Sequence, residues 1–285
     1  MEALAFLLQV LLRAIMNRKN RVILASVLLL ISLCDISLAQ AWPRQSTPYQ
    51  SPGSTDTGVA DSSSPQLDES GCPTACYFYE PFPLKPGASV FQIGGSFSLL
   101  PYPDMEQEIP IPALDMQYKR GLFENLALVG SLSTNIYSNL LHGGLQFHTR
   151  LGRFSTGLAN HIGGVYGFIR REQVFDRVDA YAIFDMMILR FGYRLDDFSL
   201  SLSLVATYVI DSGSHVNGME APGGPEQSVN DYWLTWAIEQ PFLSTLHLSV
   251  GMSLGYTRTP YQTWMLYNTT DEWLFAPEFF FAIQL

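Results

Sequence analysis

The chain runs to 285 residues, 47% of them hydrophobic and 15% charged, with a net charge of −10 at pH 7 and a pI near 4.9. An acidic balance of this size argues against nucleic acid as a partner, because phosphate contacts demand a basic face. Beyond the N-terminal region no stretch reaches the roughly 20 consecutive apolar residues of a membrane-spanning helix, which excludes a helical membrane bundle.

Residues 1–41 read as a signal region. Asn17 to Arg21 supply a basic stretch, Val22 to Leu33 an apolar one, and Ala39-Gln40-Ala41 a small-x-small cleavage site, the layout of an export signal that leaves Trp42 as the first mature residue. The pattern starts cleanly at Met16, so residues 1–15 are either an upstream extension or a lengthening of the signal. Cys34 follows Leu30-Ile31-Ser32-Leu33 in an arrangement similar to a lipoprotein signal. It departs from that pattern in the large Leu33; otherwise Cys34 is removed with the signal.

From Trp42 to Gly87 the composition turns to Ser, Thr, Pro, Gly and Asp. Such a segment has too little apolar surface to offset the entropy of ordering it, and residues 42–87 read as a disordered linker. Cys72 and Cys76 lie within it, separated by Pro-Thr-Ala. In an oxidising compartment the pair is expected to close a small disulfide loop, since zinc would need further ligands and haem attachment a different spacing with a following His. The linker ends on the aromatic, proline-rich run Tyr77 to Pro83, which either covers a rim of the C-terminal domain or docks on a partner.

Residues 88–285 form one domain. Period-two alternation marks ten strands, at 88–100, 109–120, 125–137, 140–150, 153–170, 177–195, 198–211, 229–240, 244–258 and 271–285. In the seventh, Phe198, Leu200, Leu202, Leu204 and Tyr208 share one face and Ser199, Ser201, Ser203 and Thr207 the other. The ninth repeats this with Leu246, Leu248, Val250, Met252 and Leu254 against His247, Ser249, Gly251 and Ser253. A soluble sandwich would bury such faces on a second sheet, so alternation alone leaves two architectures open.

Connection lengths separate them. Short links at 120–125, 151–152, 196–197 and 240–243 alternate with longer ones at 100–109, 170–177, 211–228 and 258–270, the asymmetry of a transmembrane barrel with tight turns at one rim. The link near Ser138-Asn139 is short where a long one is due. Tyr118, Phe154, Tyr193, Tyr208, Tyr232, Tyr256 and Trp273 fall near strand ends, where interfacial girdles belong. The last strand carries Phe279, Phe281, Ile283 and Leu285 in alternation to the end of the sequence, with Pro277 interrupting its ladder.

Over about 200 residues this pattern resembles bacterial outer-membrane β-barrels as a class, without singling out a subfamily. The resemblance implies an up-and-down antiparallel transmembrane β-barrel in the outer membrane. It also implies outer-membrane lipids as surroundings and the barrel assembly machinery as a partner through the C-terminal strand, although that strand ends on Leu285 rather than Phe.

Three groups of residues could carry chemistry. If Leu151-Gly152 is the turn, Arg150 faces Arg153 and His142 lies opposite His161 in the lumen, as His148 lies opposite Ser155, so that two imidazoles could bind a metal or act as a pH-sensitive pair. His247 and Ser249 share an inner face in a spacing that faintly resembles lipid A deacylases, but an orienting acid is not placed and a nucleophile, base and acid must touch. Lastly, the turn at Asp196-Asp197 sends Arg190 and Arg194 inward beside Ser203 and Ser199. With Lys119, Arg150, Asp115, Asp231, Glu239 and Glu278 they give a lumen of mixed charge that either bridges and plugs itself or lines a narrow polar passage. The sequence offers no nucleotide fingerprint, phosphate loop or metal-ligand run, and no cofactor is expected. Its function is read as a narrow channel or transport component for small solutes, against a non-transporting structural or surface-binding barrel and a barrel enzyme acting on lipid or peptide.

Overall fold

The computed structural model describes residues 77–99, 110–170, 177–195, 198–221, 227–243, 246–260 and 272–285. The signal region, Cys34, most of the expected linker and the Cys72/Cys76 pair lie outside the described residues. The strands are β1 (Ser89–Leu99), β2 (Pro110–Phe123), β3 (Leu126–Thr134), β4 (Ser138–Leu151), β5 (Phe154–Arg170), β6 (Arg177–Arg194), β7 (Ser199–Val216), β8 (Met219–Glu220), β9 (Val229–Leu243), β10 (Leu246–Thr257) and β11 (Leu274–Gln284). Each of the ten alternating runs is a strand, with its ends moved by a few residues.

Neighbours pair antiparallel in the order β6-β5-β4-β3-β2-β1-β11-β10-β9-β7, and β6 also pairs with β7, so ten strands close into a barrel. A closed ring has one inside and one outside, and the period-two alternation sorts side chains between them. On β7, Leu200, Leu202 and Leu204 are 39%, 39% and 44% exposed while Ser199, Ser201 and Ser203 are at most 7% exposed. The apolar face is thus the exterior, as a ring with no free edge requires when lipid is the solvent. Aromatic side chains mark both rims: Phe154 packs on Tyr193 at the tight-turn rim, and Trp273 stacks on Tyr232 and Tyr256 at the other. The start of β1 and the end of β11 share the rim of the tight turns, which is the periplasmic rim in barrels of this kind.

Several local expectations are corrected. The β4–β5 turn is Gly152-Arg153, because Leu151 pairs with Phe154. Gly152 has φ +65, and a type II′ turn needs a positive φ at its first central residue, which puts Gly152 there and not second. His142 therefore lies opposite Gly163, His148 opposite Gly157 and Arg150 opposite Ser155. A slip of two keeps every side chain on its face, so both histidines still point inward. The connection expected across 211–228 begins as structure: β7 runs on to Val216 and turns back into β8 through Asn217 and Gly218, with φ 53 and 80. That Asn-Gly pair is the usual sequence of a type I′ turn. The short outer link is Asn135 to Tyr137, fastened by the Asn135 side chain accepting from the Tyr137 and Ser138 N–H groups at 2.7 and 2.6 Å.

Candidate functional site

The segment before β1 lies inside the barrel. Residues 77–84 do not belong to a linker: Tyr77, Phe78, Glu80 and Leu84 are buried at 1–2% exposure, and their partners come from all around the wall. Glu239 on β9 accepts the backbone N–H of Phe78, Tyr79 and Glu80 at 2.8, 2.8 and 3.0 Å, and the Ser249 hydroxyl of β10 donates to it at 3.1 Å. Arg194 on β6 donates to the Glu80 carboxylate from Nε and Nη2 at 3.0 and 2.8 Å, and its guanidinium lies 4.4 Å from the Phe82 ring centre and 4.7 Å from that of Tyr77. Lys119 on β2, fully buried, directs its ammonium to the Glu80 and Phe82 carbonyls, and Arg150 on β4 lies over Phe82. Tyr79 packs on Phe280 of β11.

Inward glycines make the room for this plug. A side chain at Gly192 would meet Glu80 Cγ at 2.7 Å and Pro81 Cδ at 2.9 Å, and one at Gly121 would run into the Lys85 carbonyl. With Phe78 and Leu84 packed on Val90 and Val129, the segment fills the tight-turn end of the lumen. Its fixing groups lie toward that rim, on the last few residues of β2, β4, β6, β9 and β11 and the first few of β5 and β10.

Above the plug is a cavity of about 200 Å³ lined by Tyr79, Gln117, Ser131, His142, His161, Arg190, Ser203, Thr235, Ser253 and Glu278 among others. His142 and His161 meet diagonally across β4 and β5, Nδ1 to Nδ1 at 3.0 Å with their rings stacked 5.2 Å apart. One Nδ1 must carry the proton of that bond and the other accept it, which fixes their tautomers as a pair. Glu278 accepts from the Ser98 hydroxyl at 2.7 Å. Tyr79 accepts from Gln117 at 3.2 Å, and burial pushes its phenol above the ordinary value, so it keeps its proton as a donor.

Nearer the outer mouth lies a smaller cavity of about 60 Å³ beside Asp231, Asn230 and Thr207. Asp231 accepts from the Thr257 hydroxyl and from Asn230. Leu140, Met186 and Trp233 border both cavities and form the constriction between them. Val165, Phe184 and Val209, which also line the smaller cavity, pack with Ala180 and Ala182 into an apolar layer against Leu140 and Met186.

The eight charges grouped by the sequence reading are therefore spread along the barrel, with Lys119 and Arg150 at the plug. Arg194 and Glu239 hold the plug, Arg190 and Glu278 line the larger cavity, Asp231 lines the upper one, and Asp115 lies on β2 opposite Gly94 and Ser133. Ser249 is engaged with Glu239, and His247 contacts Gln284 and the Tyr77 ring, so the H-x-S pair serves the plug. The plug itself was missed. Its signals were four inward cations at residues 119, 150, 190 and 194 and the glycines at 121, 157 and 192, an excess of charge and of space at one end of the lumen.

No protein-family model and no curated protein matches the chain. Solved structures match it at low similarity. The translocator domain of the autotransporter NalP from Neisseria meningitidis is 9% identical over 70% of this chain and 88% of that one, with a TM-score of 0.38. An outer-membrane channel from Pseudomonas putida F1 is 11% identical over 73% and 98%, TM-score 0.35. The attachment invasion locus protein Ail of Yersinia pestis is 9% identical over 70% and 99%, TM-score 0.25. The weight rests on the geometry of this chain: a closed ring of ten antiparallel strands, apolar outside and polar within, with aromatic rims and its tight turns beside the described termini, is an outer-membrane β-barrel.

Proposed function

We propose that the protein is a narrow channel for small polar solutes that is closed at rest by its own residues 77–84. The observation that carries this reading is the polar cavity above a plug that is held by hydrogen bonds, one ion pair, ring contacts and the packing of Phe78 and Leu84, with no strand of its own in the ring. A solute entering from the outer mouth meets Asp231, the Leu140–Met186–Trp233 constriction, the larger cavity and then the plug. The plug is the main barrier on that route, so the reading makes its displacement the gating step. Glu239 is its principal anchor, and hydrogen bonds to a charged group contribute about 1.5–3 kcal/mol each.

Planar-bilayer recording tests this. The unmodified barrel is expected to show small, infrequent openings, and Glu239→Ala to raise their frequency about tenfold or more, since losing even one such bond shifts the closed state by that factor. Silence from both proteins would remove the transport reading and leave the structural or surface-binding barrel, which the depth of plug burial also fits.

A further inference from the structure

Arg190 is nine-tenths buried in the wall of the larger cavity. Its Nη1 donates to the Gln146 side chain at 3.1 Å, and its Nε has no partner. Among the described residues it makes no ion pair, unlike Arg194, whose charge is matched by Glu80 at 2.8 Å. Glu239, the acid of the plug machinery whose field reaches Arg190, already accepts three backbone N–H groups and a hydroxyl. Glu278, the one carboxylate lining the cavity, is on β11, four strands away around the ring, and is held by Ser98. The field of Glu239 reaches this guanidinium, but no carboxylate is in contact with it among the described residues; a guanidinium withdrawn from water without a contacting counter-charge is costly, and an anion in the adjoining space relieves that cost.

The rest of the lining points the same way. The Tyr79 hydroxyl accepts from Gln117 and still has its own O–H to donate. His161 is fully buried, with Nε2 unpartnered and Nδ1 tied to His142. Ser131 and Ser203 add hydroxyls. We infer that the larger cavity is a binding site for a small carboxylate anion, held by the Arg190 guanidinium with donors from Tyr79 and the His142–His161 pair. Guanidinium matches a carboxylate in charge and in planar geometry. A volume of about 200 Å³ accommodates an ion of a few carbons with accompanying water, and the opposed Glu278 leaves room for a zwitterion bound through the same carboxylate.

The inference rests on reading the lumen as a solute compartment, but its test does not require an open pore. The full-length barrel, refolded in detergent, is titrated with acetate, glycine and ethylammonium while saturation transfer to each ligand's protons is followed by NMR. Saturable transfer is expected for acetate and glycine and none for ethylammonium. Arg190→Gln should weaken acetate binding about tenfold or more, the loss expected for a charge-assisted contact, and Arg190→Lys should retain part of it. Heat-modifiable migration checks that each variant is folded; should Arg190→Gln fail to fold, Tyr79→Phe, which removes one donor, is expected to weaken binding less but measurably. No saturable acetate binding to the unmodified barrel, binding of ethylammonium alone, or acetate binding unchanged by Arg190→Gln would each overturn the site. Conductance without acetate binding would leave the channel standing and the anion site refuted; binding without conductance would do the reverse.

Discussion

Residue by residue, the barrel keeps its polar groups inside, and Asn160 and Asp185 depart from this. Both lie on outward positions in the interior of β5 and β6, where Asp185 pairs with Ile162 and Tyr208 and Asn160 with Leu145 and Met187. Asn160 Nδ2 donates to Asp185 Oδ1 at 2.7 Å, a diagonal cross-strand contact that satisfies one bond each on a face given to lipid. Polar groups at that depth are costly, acids less so than bases. Replacing both by leucine should therefore stabilise the barrel by about 1–3 kcal/mol in urea unfolding from vesicles. A loss of stability would mean that the pair faces protein rather than lipid. The identity of such residues was readable from the sequence, and so was the face of each. Partners were not: nothing in the spacing of Arg194 or Lys119 tells that both meet Glu80, because the segment carrying Glu80 has no periodicity to place it.

Strands were the most readable elements, since alternation fixes both their existence and their orientation. Turns were less so, because a Gly flanked by two large residues can occupy either central position until its φ is known, and Gly152 occupies the first. The hairpin at Asn217-Gly218 was readable in principle but was hidden inside a polar stretch. Orientation has a direct test. Leu202→Arg places a cation on the lipid face and should cost about 2–4 kcal/mol near mid-membrane. Ser253→Lys places one in the cavity directly across from Glu278 on β11 and should cost little, since an opposite-charge cross-strand pair contributes about 0.2–1 kcal/mol. Urea titration of the two variants compares them, and equal losses would contradict the sidedness of the sheet.

At the scale of the whole molecule, a ring without edges resists detergent, because each of its ten strands is paired on both sides. The protein should fractionate with the outer membrane, and unheated samples should migrate differently from boiled ones on denaturing gels. Recovery in the soluble periplasmic fraction, or identical migration before and after boiling, would count against the closed barrel. That architecture was readable from ten alternating runs and their unequal links. The filling of its lumen was not, because an aromatic, proline-rich stretch after a polar one looks the same whether it lies within a barrel or outside it.

The pairing of β1 with β11 has a temporal consequence. Gln92 lies beside Gln284 and Phe97 beside Phe279, so the first strand stays without one neighbour until the last has been added, whereas most other neighbours form as local hairpins. The seam carries the largest loop-closure entropy in the ring. Residues 77–84 touch β1 to β6 as well as β9, β10 and β11, and so lie against both sides of the seam; their berth is complete only when the seam is. Filling of the lumen is thereby coupled to sealing of the wall, and a chain stalled before its final strand would present an open edge and an unseated aromatic segment together, the two features most apt to draw a half-made barrel into aggregates.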